Sequence, residues 1–308
     1  MARLTSTNYP HLSGLSLNFE GQTDMPVRAE QDGWKARLTF GLNRRGQRTI
    51  LSRRLHYGPL VIQRPFYPEG AEICHLYLIH PPGGVVGGDE LRLDVDMSPD
   101  AQALITTPAS GKFYRSNGQE AGLRQNIHLS DNTSLEWMPQ YNIFFSGCKA
   151  RLETNISMVG SACFIGWEIT ALGRSASRKT FTRGIVHQRF QITRDGRLAF
   201  IENNRITGDS PALNEYWGMA SSQVMGTLLA VPVHDEQLRA IREIEKTHGL
   251  EGEPASARLG VSLIEDIMVC RCLARQAEYI QRIFTGIWRV LRPGMMDRAV
   301  HEPRIWNT

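Results

Sequence analysis

The stretch HPPGGVVGGDELRLDVDM at residues 80–97 places four glycines, Gly83, Gly84, Gly87 and Gly88, directly ahead of two acids. Glycine-rich loops bind phosphate when a lysine and a hydroxyl follow, as in a Walker A loop, or when a helix follows, as in a dinucleotide-binding turn. Here Asp89 and Glu90 come next and a strand pattern after them. The acids repel phosphate, so the loop reads as a tight crossover that glycine makes possible. His75 and His80 lie five apart in HLYLIH. On a strand they fall on opposite faces and cannot chelate one ion without a bend. Cys270 and Cys272 share a strand face about 7 Å apart, a spacing compatible with a soft metal. No second Cys or His pair lies at zinc-finger spacing, and a reduced pair of core thiols is the better reading. There is no G-x-S-x-G elbow, and Ser146-Gly147-Cys148 lacks a recognisable partner pattern. No catalytic signature emerges.

What remains is a set of acids inside apolar strand patterns: Glu136 in SLEWMPQ, Glu168 in FIGWEITAL and Glu202 in LAFIEN. A carboxylate in such a run costs free energy unless it is paired or solvated. Two readings stand side by side. One is a structural ion pair; for Glu202 a hairpin turning at Asp195-Gly196 opposes it to Arg189 when residues are counted outward from the turn. The other is a wet, acidic path through the interior that a hard divalent cation can use, since oxygen ligands suit transient binding. Lys112 and Arg115 in GKFYRS pose a similar choice between a solvated or interface loop and a site.

The elements that must position these groups follow from periodicity. From Gly33-Trp34 to about residue 210 the pattern alternates with period 2. Leu91, Leu93, Val95 and Met97 interleave with Arg92, Asp94 and Asp96, and Leu152, Thr154, Ile156 and Met158 with Glu153, Asn155 and Ser157. These are read as half-buried antiparallel strands. After residue 233 the spacing turns helical: Leu238, Ile241 and Ile244 precede a stop at Gly249, and Ile280, Ile283, Phe284, Ile287, Trp288 and Leu291 run to a stop at Pro293-Gly294. That last stripe serves either the core or an interface. Two short strands, around 259–263 and 267–273, lie between the helices. The expected fold is mainly β, a large antiparallel or β-helix-like sheet scaffold with a small α+β element and two or more helices near the C-terminus. Residues 1–32 read as a poorly ordered leader and 33–308 as one domain, divided into a β-rich part (33–232), an α+β part (233–294) and a tail (295–308).

Composition narrows the class. The 308 residues carry a net charge of only +4, from 35 basic and 31 acidic side chains spread along the chain, which argues against nucleic acid as a partner. Five scattered cysteines suit a reducing compartment, and neither an apolar signal core nor a membrane-length apolar run occurs. A soluble, cytoplasmic protein is expected.

Taken together, GPLVIQRPFYPE (58–69), CHLYLIHPPGGVVGGDEL (74–91), ITTPASGKFYRS (105–116), LEWMPQ (135–140), GWEITALGR (166–174), LRP (291–293) and PRIW (303–306) resemble the urease accessory protein UreD family, called UreH in some systems. They occur in order and span nearly everything after residue 33. The resemblance implies a urease maturation factor without enzymatic activity, a scaffold that binds UreF, the GTPase UreG and apo-urease. It further implies a dimer of heteromers and nickel passing in transit to the dinickel site of urease, with no tightly bound cofactor. Residue by residue, it makes Asp89, Glu168 and Glu202 candidates for transient nickel contact, and leaves Lys112, Tyr114 and Arg115 as candidates for partner or loop contacts. Two departures stand out. Tyr141 replaces a family acid after the PQ pair, and Arg178-Lys179 replaces Gly-Glu in the following stretch. An alternative within the same resemblance is an adaptor that opens apo-urease without touching nickel.

Overall fold

The computed structural model describes residues 33–174, 180–248 and 257–307. The expected leader, the Gly249 stop and Arg178-Lys179 lie outside them. Strands β1 (Lys35–Arg45), β2 (Arg48–Tyr57) and β3 (Val61–Ile62) lead into β4 (Ile73–Ile79), β5 (Glu90–Met97), β6 (Gln102–Thr106) and β7 (Gly111–Phe113). There follow β8 (Ala121–Leu129), β9 (Ser134–Met138), β10 (Asn142–Phe144), β11 (Lys149–Met158), β12 (Cys163–Leu172), β13 (Ile185–Arg194) and β14 (Arg197–Thr207). The chain continues through β15 (Val224–Val231), helix α1 (Asp235–His248), β16 (Ala257–Ile264), β17 (Ile267–Ala274) and helix α2 (Ala277–Met296).

From β4 to β13 the long strands alternate between two sheets. β5, β8, β11 and β13 stack in a seven-stranded sheet of order β14-β13-β11-β8-β5-β1-β2, and β4, β6, β9 and β12 in a ten-stranded one. Each of these strands pairs parallel with the next in its stack. The mainly β, β-helix-like scaffold is therefore present. The strands at 91–97 and 152–158 correct the expected antiparallel pairing. β5 runs parallel to both β1 and β8, and β11 parallel to both β8 and β13. Alternation reports burial on one side and carries no information about direction.

The burial patterns explain the layers. β5 and β11 alternate, because the seven-stranded sheet packs one face on the core and turns the other to solvent. β4, β9, β12 and β15 are buried almost without interruption. Their inner face meets the first sheet in one apolar cluster that includes Leu76, Ile105, Trp137 and Phe164, and their outer face meets α1 and α2 in a second that includes Trp167, Leu228 and Cys270. The stripe from Ile280 to Leu291 is core throughout. Gly226 makes room for it, since a Cβ there would lie 2.8 Å from Ile280 and 2.9 Å from Phe284. Helix α2 does not stop at Pro293-Gly294. It runs to Met296 and ends on Asp297 in the left-handed region (φ +52°). The neighbouring Arg292 is anchored on Glu136 of β9 and on Glu69 of the turn between β3 and β4, which holds that last turn in place.

The hairpin of β13 and β14 turns at Asp195-Gly196 as expected, both at positive φ (+49° and +76°). A register shift between Ile192 and Thr193 then moves the pairing by one residue, so Glu202 faces Phe190, and Arg189 faces Asn203. The expected opposition of Arg189 to Glu202 is corrected by this bulge, which inserts Ala199 as the extra residue.

Candidate functional site

Between the two sheets the apolar filling gives way at one place to a polar layer. Glu168 on β12 points inward toward Thr154 on β11, whose hydroxyl hydrogen-bonds it, and the Gln125 amide on β8 donates to Thr154 Oγ at 2.7 Å. Nearby, Gln188 donates to Thr170 Oγ at 2.7 Å. Glu202 on β14 accepts from Thr227 (2.8 Å) and Asn204 (3.3 Å), and Arg271 on β17 donates to its other oxygen at 2.6 Å. Its ion pair is thus with Arg271, while Arg189 pairs with Glu153 at 3.6 Å.

Glu168 borders two cavities. The inner one, about 10 Å³, is bounded by Glu168, Thr170, Gln188, Glu202, Asn204 and Thr227 among others. This is space for about one water. The outer one, about 170 Å³, runs beneath the Gly83-Gly84 loop past His80, Lys112, Phe113, Gln125 and Asn142. Glu168 is the one residue that lines both. Burial pushes its carboxyl up to about 7, the Thr154 hydrogen bond opposes that rise, and the charge of Glu202 adds to it. The side chain therefore changes charge near neutrality. Two carboxylates among neutral oxygen donors are the ligand types that suit a hard cation. Among the described residues no group of three or more His, Cys, Asp or Glu side chains could hold one as a cage.

The other sequence candidates lie elsewhere. Asp89 is buried where the chain enters β5. One carboxylate oxygen accepts the Trp34 N–H (2.8 Å) and the other the Val86 N–H (2.9 Å), which closes the glycine crossover. Gly88, at φ +92°, provides the turn that only glycine takes without strain. His80 sits over the outer cavity, and burial holds its imidazole below its ordinary value while Asp89 opposes that shift. The exposed Lys112 also lines the outer cavity. Tyr114 stacks on Phe145 (centroids 5.0 Å apart) and donates to the Gly83 carbonyl, and Arg115 lies against Gly147. Tyr141 reaches Glu278 at the start of α2.

Glu136 belongs to a separate buried cluster. It accepts from Trp288 Nε1 (2.6 Å) and Arg292 Nε (2.8 Å), and Arg292 also makes two bonds to Glu69, at 2.8 and 2.7 Å. His75 Nε2 lies 2.7 Å from Glu69. Burial alone would raise the Glu69 carboxyl, but the bonds from His75 and Arg292 outweigh it and hold it below the usual carboxylate range. Cys270 and Cys272 are buried against the helices, and burial raises both thiols, Cys272 to about 12. Such thiols are not thiolates at neutral pH and make poor metal ligands.

Sequence reasoning did not single out Gln125, Thr154 and Gln188. A signal was available: each occupies an inward position of an alternating strand, between Leu123 and Ile127, Leu152 and Ile156, Val186 and Phe190. Three polar side chains at inward phase on neighbouring coils mark a polar interior.

Comparison with known proteins then adds a relationship. A family model described as UreD urease accessory protein matches residues 35–307. A urease accessory protein UreD from Azoarcus sp. (strain BH72) is 41% identical over 285 residues, covering 92% of this chain and 97% of that protein. Proteins of the same name from Hahella chejuensis (strain KCTC 2396) and Alcanivorax borkumensis (strain ATCC 700651 / DSM 11573 / NCIMB 13689 / SK2) are each 39% identical, over 89% and 94% of this chain and 91% and 97% of their own length.

Proposed function

The chain belongs to the UreD family of urease accessory proteins, which serve urease maturation, and from that premise we propose that it is a non-enzymatic cytoplasmic scaffold conducting nickel toward apo-urease through the space between its sheets. The observation that carries this reading is Glu168, which lines both the outer and the inner cavity. Nickel is cargo here. It enters under the glycine crossover, exchanges water for the Glu168 carboxylate and neutral oxygens, and leaves past Glu202. Weak oxygen contacts release an ion quickly, which a conduit requires and a storage site does not. The partners in this reading are UreF, the GTPase UreG and the urease subunits, in a dimer of heteromers, with Lys112, Tyr114 and Arg115 at the outer mouth.

The position of Asp89 favours a structural role for that residue, as in an adaptor that opens apo-urease without touching the ion. The two readings separate in one experiment. A matching urease operon is expressed without this chain, with the wild type and with Glu168→Ala, and the nickel content of purified urease is measured. The conduit reading expects apo-urease without the chain and reduced loading with Glu168→Ala at unchanged co-purification of partners. Full loading by Glu168→Ala with an intact complex leaves the adaptor. Equal nickel content with and without the chain removes both.

A further inference from the structure

The solvent face of the seven-stranded sheet carries an ordered arginine row. Arg37, Arg92 and Arg124 are direct cross-strand neighbours on β1, β5 and β8, and Glu153 and Arg189 continue the line on β11 and β13. Asp94 serves Arg92 at 2.9 Å and Arg37 at 3.2 Å, and Glu153 serves Arg124 at 2.8 Å and Arg189 at 3.6 Å. The two carboxylates are sunk, 17% and 12% exposed, while the four arginine side chains above them are 39–58% exposed. Asn155 donates to Asn126 and Asn126 to Asp94, fixing the anchor from below.

A merely solvated sheet face sets opposite charges against each other one for one, with mobile side chains. Here four guanidinium groups share two carboxylates, which leaves positive charge in excess and most of the five N–H donors of each fork unused. Arg189 Nε is buried without a partner. Arginines held on these carboxylates have already lost part of the rotamer freedom that binding would otherwise remove. Apolar side chains close the arginine row at one end and the neighbouring row at both. Tyr57 and Leu55 oppose Arg37 and Thr39, and Ile201 opposes Gln191, with exposures of 70%, 63% and 48%. Seven strands at about 4.8 Å spacing and four outward rows cover on the order of 750 Å², close to one partner's share of a standard protein interface.

We infer that this face docks a partner protein through a flat, acidic surface whose carboxylates pair with the arginine N–H groups that Asp94 and Glu153 leave unused. Nucleic acid fits less well, because Glu90, Glu120 and Asp96 stand among the arginines and repel a continuous phosphate chain, whereas discrete carboxylates can avoid them. The inference rests on the maturation-scaffold reading only for the choice of candidate partners.

The test uses the full chain in complex with its accessory proteins, and binding to each accessory protein and to apo-urease is measured at about 50 and 300 mM salt. Arg92→Glu/Arg124→Glu is expected to weaken one protein partner at least tenfold at low salt with an unchanged melting temperature, and wild-type binding to that partner is expected to weaken as salt rises. Arg92→Gln/Arg124→Gln, which removes charge without introducing repulsion, should fall between the two and replaces the reversal variant if that one misfolds. Affinities for every partner within twofold of wild type overturn the inference, as does a loss confined to binding of a DNA or RNA oligonucleotide. If urease loads nickel equally without the chain while docking still depends on the arginines, the conduit reading fails and this one stands.

Discussion

Replacing Arg292 with leucine tests whether the buried charge cluster fastens α2 to the sheet. Arg292 is fully buried, and its two carboxylate partners, Glu69 and Glu136, are 9% and 4% exposed at the side chain. The substitution keeps apolar volume but leaves two acids without their cation, and Trp288 as the remaining donor to Glu136. Breaking a buried pair by removing one member costs about 3–5 kcal/mol. In a chain of this size that lowers the melting temperature by roughly 6–12 °C. The loss has a definite pH signature. In the wild type Glu69 is held below its usual value, so its contribution is complete at neutral pH and is lost only as pH falls through that lowered value. In the variant only the His75 bond still opposes the burial that raises the Glu69 carboxyl. Glu69 then becomes neutral more readily as the solution is acidified, so the deficit is greatest near pH 8 and shrinks toward pH 5. Urea and thermal unfolding of wild type, Arg292→Leu and Arg292→Leu/Glu136→Leu at both pH values measure it. The double variant should lose less than the sum of the single losses, because the stranded acid is gone. A deficit below about 1 kcal/mol at pH 8, or one that grows on acidification, refutes the argument.

Two further outcomes concern the candidate path. Because the Glu168 carboxyl is raised to about 7 from an ordinary 4.5, the native state holds its proton more tightly than the unfolded chain, and stability falls as pH rises between those values. Glu168→Gln should therefore be more stable than wild type at pH 8, by on the order of 2–3 kcal/mol before allowing for water in the cavity, and nearly equal at pH 4. Urea titrations at the two pH values check this, and a less stable variant at pH 8 contradicts it. Asp89→Ala frees the Trp34 and Val86 N–H groups and should cost about 1–3 kcal/mol, visible as a lower urea midpoint, with earlier exchange of those two amides; an unchanged midpoint argues that the carboxylate does not hold the turn.

How far the sequence reaches depends on the range of the signal. Alternation in 91–97 and 152–158 identified half-buried strands, since facing depends only on the strand's own period. Their parallel partners come from the next coil, and nothing local encodes that. The second sheet lost its alternation because both faces are covered, and helical spacing in 280–291 survived because only one face of α2 is. The anomaly of an acid in an apolar run was legible at Glu136, Glu168 and Glu202, but not the identity of its partner. Arg292 comes to Glu136 from 156 residues away, and Thr154 comes to Glu168 from the opposite sheet. The Pro293-Gly294 stop failed because a tertiary anchor at Arg292 outweighed a local breaker.

The extra residue in β14 makes the facing of the strand a matter of parity. Exposed hairpin tips ordinarily tolerate insertions and deletions. In this hairpin the strand beyond the bulge is offset by one from what the turn alone dictates. Pairing without the bulge at the present length would set Glu202 against Arg189, turn Glu202 and Asn204 outward and bring Ile201 and Asn203 against the polar interior, whereas deleting Ala199 would remove the bulge and leave Glu202 opposite Phe190. Length and bulge therefore have to change together in this hairpin, because a residue gained or lost without its bulge decides which side of the wall the carboxylate faces.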